Sequence, residues 1–410
     1  MNPVLHKPLP KNFLWGCAIS AHQSEGNNVN SDAWLCEHVT PTAYSAPSGD
    51  ACDSYHRYEE DIAIAADLGL NCYRVGIEWA RIEPSPGQFS LAELDRYRLL
   101  LATCRQRGLA TMVTFSHFSV PLWFAARGGF EVADGADLFA RYAGRVTEHL
   151  GDLISYASTF NEANIQRLLA MIPRTGERHA TVAGMLAACA QACGDARFSS
   201  LLFADPAKTE PVLLDAHRKA TAAIKAGPGD FPVGLTLTMQ DIQAPPPVAA
   251  HLENTLYGPW LDEAARSDFI GVQTYTRILM QADGSIAAPA GAEMTAAGYE
   301  FYPQALTGTI RLAAARTGRP VYVTENGIAT DDDTRRVAFI DGALEALRGC
   351  VDEGIDVRGY IHWSLLDNFE WTSGYGHRFG LVDVDYATFK RTIKPSGRHL
   401  GALAAKELQS

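Results

Sequence analysis

Eight short, apolar, β-rich runs recur along this 410-residue chain, and stretches with helical periodicity fill most of the intervals between them. The runs lie at Phe13–Ser20, Asn71–Trp79, Ala110–Ser116, Leu153–Phe160, Pro232–Met239, Phe269–Tyr275, Val321–Glu325 and Val357–Trp363. In Tyr55–Leu68, Ile62, Ala65, Ala66 and Leu68 interleave with Glu59, Glu60 and Asp61, as one buried face of a helix requires. Leu91–Arg107, Ala136–Leu150, Leu213–Lys225, Tyr302–Thr317, Asp333–Glu353 and Pro395–Glu407 read the same way, and Thr181–Arg197 also looks helical. Strands alternating with helices pair in parallel through right-handed crossovers. Eight such units predict an α/β chain folded as a single (β/α)8 TIM barrel over residues 1–410, a fold that runs past the usual domain size. The Pro-rich patch Ala244–Pro247 and the segment Gln281–Ala297 each follow a strand and read as long βα loops over the active-site face.

Composition narrows the partners. Hydrophobic residues at 47% and charged residues at 20% exclude a disordered chain. The net charge of −12 argues against nucleic acid and anionic membranes, because attraction to phosphate needs the opposite sign. Met1–Pro10 contains no apolar core of a signal peptide, and no stretch approaches a membrane span. Eight cysteines show no CxxC pair; Cys189 and Cys193 share a helical face but read as packing rather than as metal ligands. Reduced thiols imply a cytoplasmic setting. Homo-oligomerisation is left open.

The polar residues that stand out fall at strand ends: Arg74, His117, Asn161-Glu162, Tyr275, Glu325-Asn326 and Trp363. In a (β/α)8 barrel the C-terminal strand ends form the active-site rim. A buried carboxylate is costly unless paired or hydrogen-bonded, so two of them, each beside an asparagine, point to chemistry. Two facing carboxylates are what cleavage of a glycosidic bond needs, one holding a proton and one ionised. Arg74 and Tyr275 suit the ionised partner, Glu325, which leaves Glu162 as acid/base. Taken singly, Arg74 reads as a salt-bridged strand residue and Trp363 or Trp371 as core aromatics; Glu78 and Glu83 read as surface or structural, and His22, His56 and His362 as packing or supporting histidines.

These residues sit in motifs that resemble glycoside hydrolase family 1, the β-glucosidase family, over nearly the whole chain. The matching stretches are Phe13–Gly26, Asp53–Asp61, Tyr73–Ile82, Thr159-Phe160-Asn161-Glu162, Val323-Thr324-Glu325-Asn326-Gly327, Trp363–Trp371 and Arg378–Asp383. Each string is weak alone, and the set in this order is specific. The resemblance implies net retention through a covalent glycosyl-enzyme, with Glu162 as acid/base, Glu325 as nucleophile, and Arg74 and Tyr275 as partners of the nucleophile. It implies carboxyl groups about 5–5.5 Å apart and no need for a metal or organic cofactor. It also implies that Gln23, His117, Asn161, Glu370 and Trp371 bind sugar hydroxyls while Trp363 forms an aromatic floor. An indole face suits the axial C–H groups of an all-equatorial pyranose.

The sequence departs from the family pattern at Gln273-Thr274-Tyr275, Ala163, Phe118, Gly128-Gly129-Phe130, Asp32-Ala33-Trp34 and Gln166–Arg174. Most of these positions concern the outer, leaving-group side and the packing around it. The expectation is therefore an ordinary sugar half and an unusual aglycone half, opened toward a bulky leaving group such as a plant glycoside or a disaccharide other than cellobiose. Retention of Glu370-Trp371 argues against 6-phosphoglycosides, and retention of Glu162 against thioglucosides. A transglycosylase with the same intermediate and a silent sugar-binding pseudoenzyme remain as alternatives. A nicotinamide oxidoreductase fails for want of GxGxxG after a strand, and zinc hydrolysis for want of HExxH.

Overall fold

The computed structural model describes residues 7–171 and 176–408; the first six residues of the Met1–Pro10 reading and 172–174 of the Gln166–Arg174 reading lie outside the described residues. In chain order the strands are β1 (Leu14–Ala18), β2 (Cys72–Gly76), β3 (Ala110–Ser116), β4 (Tyr156–Phe160), β5 (Val233–Thr238), β6 (Asp241–Gln243), β7 (Ile270–Gln273), β8 (Arg277–Leu279), β9 (Val321–Asn326), β10 (Val357–Trp363), β11 (Val382–Asp385) and β12 (Lys390–Ile393). Eight of them close into a parallel barrel in the order β1-β10-β9-β7-β5-β4-β3-β2, with helices between successive strands. Each expected run supplies one barrel strand, most of them trimmed at the ends. Trp79 instead opens a helical turn, Trp79–Ile82. Two small sheets were not anticipated: β6 pairs in parallel with β8 just beyond the barrel strands they follow, and β11 pairs antiparallel with β12.

The expected helices form, with one correction. The last two prolines of Ala244–Pro247 are not loop but open the helix Pro246–Ala264. Proline suits a first turn, where its missing N–H would have no partner in any case. Gly258 and Pro259 farther along hide the helical pattern in the sequence. Pro259 cannot bond the carbonyl of Thr255, and Arg167 donates to that oxygen instead. Gln281–Ala297 contains neither helix nor strand apart from isolated bridges pairing Met280 with Ile286 and Met294 with Glu300.

Alternation along the strands divides the core in two. Trp15, Cys17, Tyr73, Val75, Val113, Phe115, Leu235 and Val272 pack between barrel and helices. Leu14, Ala18, Cys72, Met112, Phe269, Tyr322, Ile361 and Trp363 form a separate cluster that fills the barrel interior. Gly234 makes room for one of these plugs: a Cβ there would sit 2.4 Å from the Phe269 ring. With Cys72 inward, the two-residue period also turns Arg74 inward, and its side chain is 1% exposed. No helix among the described residues is long and apolar enough to cross a membrane.

Candidate active site

A guanidinium inside a barrel must find acceptors. Arg74 finds them at two strand ends: Nη1 donates to Glu325 Oε1 at 2.5 Å and Nη2 to Asn161 Oδ1 at 2.5 Å. Strict alternation from Tyr322 would send Glu325 toward the helices. A register shift prevents this, because β9 spends one extra residue against both neighbours: Val272 pairs with Val323 but Gln273 with Glu325, and Tyr360 with Val323 but His362 with Asn326. Such bulges re-aim side chains beside active sites. The second Glu325 oxygen accepts from the Tyr275 hydroxyl at 2.7 Å. Burial raises the Glu325 carboxyl, while Arg74 and Tyr275 oppose that rise. Asn326 turns away, donating to Thr274 O at 2.6 Å and accepting from Tyr360 Oη at 3.0 Å.

Glu162 has a different setting. Its backbone is in the left-handed region at φ 43°, and the residue is 8% exposed. Burial, then the neighbouring Glu325, pushes it up to about 8, with the Thr238 hydroxyl and Arg74 pulling the other way. Thr238 ends β5 and is clamped by Asn164, whose amide bonds both Thr238 O and Thr238 N, at 2.9 and 3.0 Å. Gln273, where the family pattern has asparagine, reaches Asn161 Oδ1 at 2.8 Å and so shares that acceptor with Arg74. Ala163, where the pattern has proline, donates its N–H to Thr236 O at 3.1 Å, a bond proline could not make.

A third group lines the rim. Gln23 Nε2 donates to Phe369 O at 2.8 Å and to Glu370 Oε2 at 3.1 Å, and Trp363 Nε1 lies 3.3 Å from Glu370 Oε1. Burial raises the Glu370 carboxyl well above its ordinary value. The His117 imidazole is held well below its usual value by burial and then by Arg74, and it stacks on Trp363 at 5.4 Å. Trp371 lies nearly parallel to His117 at 6.4 Å. All the residues expected at the site are thus at the barrel mouth.

Two residues escaped the sequence reading. Thr238 could have been found as the polar end of the fifth run. Tyr299 had no local signal; it stands on the turn that closes Met294 against Glu300, and although the residue as a whole is 44% exposed, desolvation of its phenol and then the nearby Glu162 and Glu370 raise its pKa. Glu78 and Glu83 are both buried and structural: Glu78 accepts from Ser119 Oγ at 2.7 Å and Glu83 from Trp79 Nε1 at 2.8 Å. Cys189 is buried with its Sγ 3.7 Å from that of Cys36, and among the described residues no cluster of His, Cys, Asp and Glu is arranged to hold a metal.

The model of glycosyl hydrolase family 1 matches residues 5–175 and 229–408. The chain belongs to glycosyl hydrolase family 1. This family 1 chain is 29% identical to beta-glucosidase A of Acetivibrio thermocellus, over 95% of its length and 96% of that protein. It is 30% identical to beta-glucosidase A of Thermotoga maritima, over 95% and 96% of the two chains. Among solved structures, the apo form of a beta-glucosidase numbered 1317 superposes with a TM-score of 0.92 at 47% identity, covering 96% of this chain and 98% of that one. The family 1 chain is accordingly a glycoside hydrolase of the β-glucosidase type acting on small-molecule glycosides. The segment outside the family match, 176–228, carries the helices Gly176–Cys193 and Pro206–Ala226.

Proposed function

We propose that this hydrolase cleaves β-glucosides with retention of configuration, working as one (β/α)8 unit with Glu325 as nucleophile and Glu162 as acid/base. The observation that carries the reading is the unequal support of the two carboxyls: Arg74 and Tyr275 donate to Glu325, whereas burial and Glu325 itself keep a proton on Glu162. Glu325 attacks the anomeric carbon as Glu162 protonates the departing oxygen. The ester that forms removes the charge on Glu325, the Glu162 pKa falls, and Glu162 takes a proton from water, whose oxygen releases the sugar. Gln23, His117, Asn161, Glu370 and Trp371 hold the sugar hydroxyls over Trp363. The eight free cysteines, seven of them buried, support a reducing, cytoplasmic setting.

The reading places the leaving group against Tyr299, whose phenol lies near Glu162 and whose exposed ring gives that side an apolar face. An aryl or alkyl aglycone is therefore favoured over a second sugar. Hydrolysis of p-nitrophenyl β-glucoside, followed by NMR of the anomeric proton, tests the reaction: β-glucose as first product supports it, and α-glucose or no turnover refutes it. Higher kcat/KM on cellobiose than on an aryl glucoside would refute the aglycone assignment.

A further inference from the structure

Trp371 is held where a bulky residue does not go unaided. Its φ of 51° lies in the left-handed region, and the side chain is only partly buried. The indole N–H bonds no protein group among the described residues, which leaves it free for a ligand. Phe118 meets the ring edge-on at 5.4 Å. The His22 imidazole, 1% exposed, stacks on the ring with centroids 5.3 Å apart and planes 11° from parallel. His22, Trp371, His117 and Trp363 thus form a continuous series of near-parallel rings ending at the expected sugar floor.

His22 is itself fixed from behind. Its Nε2 lies 2.7 Å from Glu37 Oε1, with both side chains fully buried, and its Nδ1 lies 3.1 Å from the Asn28 amide. The other Glu37 oxygen accepts from Ser48 N at 2.8 Å and Ser48 Oγ at 2.7 Å. The remaining acidic groups acting on the imidazole are Glu78, tied to Ser119, and Asp32, which accepts from Val120 N at 2.8 Å. Burial opposes a charge on His22 while Glu37, Glu78 and Asp32 raise its pKa, and an Nε2–H donated to Glu37 leaves Nδ1 to accept from the Asn28 amide, so both edges of the ring are held. Helix Asp32–His38, which bears both Glu37 and Asp32, thereby reaches the sugar site without touching it.

We propose that His22, braced by Glu37, is a positioning residue for sugar binding: its face sets the plane of Trp371 and the direction of the indole N–H, and so the affinity for the sugar ring. This rests on the reading of Trp371 as a sugar-binding residue. The test measures KM and kcat on p-nitrophenyl β-glucoside, Kd for a glucose-shaped iminosugar, melting temperature, and the 15N resonance of the Trp371 indole, assigned with Trp371→Phe. His22→Gln, which keeps a polar link but no ring, is expected to raise KM and the iminosugar Kd about tenfold, leave kcat within about twofold, and move the indole resonance. His22→Phe, which keeps a flat face, is expected to restore most of the loss. Unchanged KM and Kd in His22→Gln, or equal losses in the Gln and Phe variants, would overturn the proposal. If His22→Gln does not fold, Glu37→Leu decides: the imidazole then has no acceptor at Nε2, and a raised Kd supports the proposal while a wild-type Kd overturns it. If the wild-type protein turns over no β-glycoside, the functional reading fails on its own, and the indole resonance with the iminosugar Kd still judges His22.

Discussion

The ends of β4 and β9 carry the same two residue types, Asn161-Glu162 and Glu325-Asn326, yet the fold treats the two glutamates in opposite ways. Glu325 receives a guanidinium from β2 and a phenol from beyond β7. Glu162 receives one hydroxyl, from Thr238 on β5, and feels the negative charge of Glu325. The asparagines differ as well: Asn161 presents its oxygen to Arg74 and Gln273, while Asn326 is consumed by Thr274 and Tyr360. A strand end therefore does not define a role. Donors delivered by other strands do, and a barrel that brings eight strand ends to one rim is suited to deliver them.

The widest separation between the two sites is expected on truncation. With Glu325 as the proposed nucleophile, Glu325→Ala should lower kcat/KM by at least about 10⁴-fold on every leaving group. Glu162→Ala should cost about 10²–10⁴-fold with alkyl glucosides, which need a proton on departure, and much less in the first step with p-nitrophenol. A leaving-group series read for both variants checks this. The comparison breaks if Glu162→Ala loses the same factor on good and poor leaving groups.

Much of the barrel was legible because its strands are apolar on both faces and their lengths are short, a pattern that depends on nearby residues alone. The two glutamates were legible for a related reason: charged residues at the ends of apolar runs are conspicuous. Other features were hidden by physics that local sequence does not encode. The extra residue in β9 that turns Glu325 inward depends on the register of β7 and β10, and strict alternation from Tyr322 predicts the wrong face. The helix Pro246–Ala264 was concealed by Gly258 and Pro259, whose cost is offset by Arg167 donating to Thr255 O. Thr238 and Tyr299 meet Glu162 only through tertiary closure. Gln273 and Ala163, departures from the family pattern assigned to the leaving-group side, instead bond Asn161 and Thr236 O, partners that only the folded barrel brings near them.

A finer contrast comes from removing single donors. Tyr275→Phe deletes one bond to the Glu325 carboxylate, and a bond to a charged group is worth roughly 1.5–3 kcal/mol, so kcat/KM should fall about 10- to 100-fold. The phenol favours ionised Glu325, so its loss raises the lower apparent pKa of the pair and moves the acid limb of the kcat/KM profile to higher pH. Thr238→Val removes the weaker support, a hydroxyl that favours ionised Glu162. Without it the upper apparent pKa rises from about 8, and the alkaline limb moves to higher pH with only a few-fold change at the optimum. The two variants thus both shift a limb upward, but Tyr275→Phe narrows the active pH range from below while Thr238→Val widens it from above. A pH profile in which Thr238→Val displaces the acid limb would reverse the assignment of the two glutamates, since the hydroxyl would then be supporting the nucleophile.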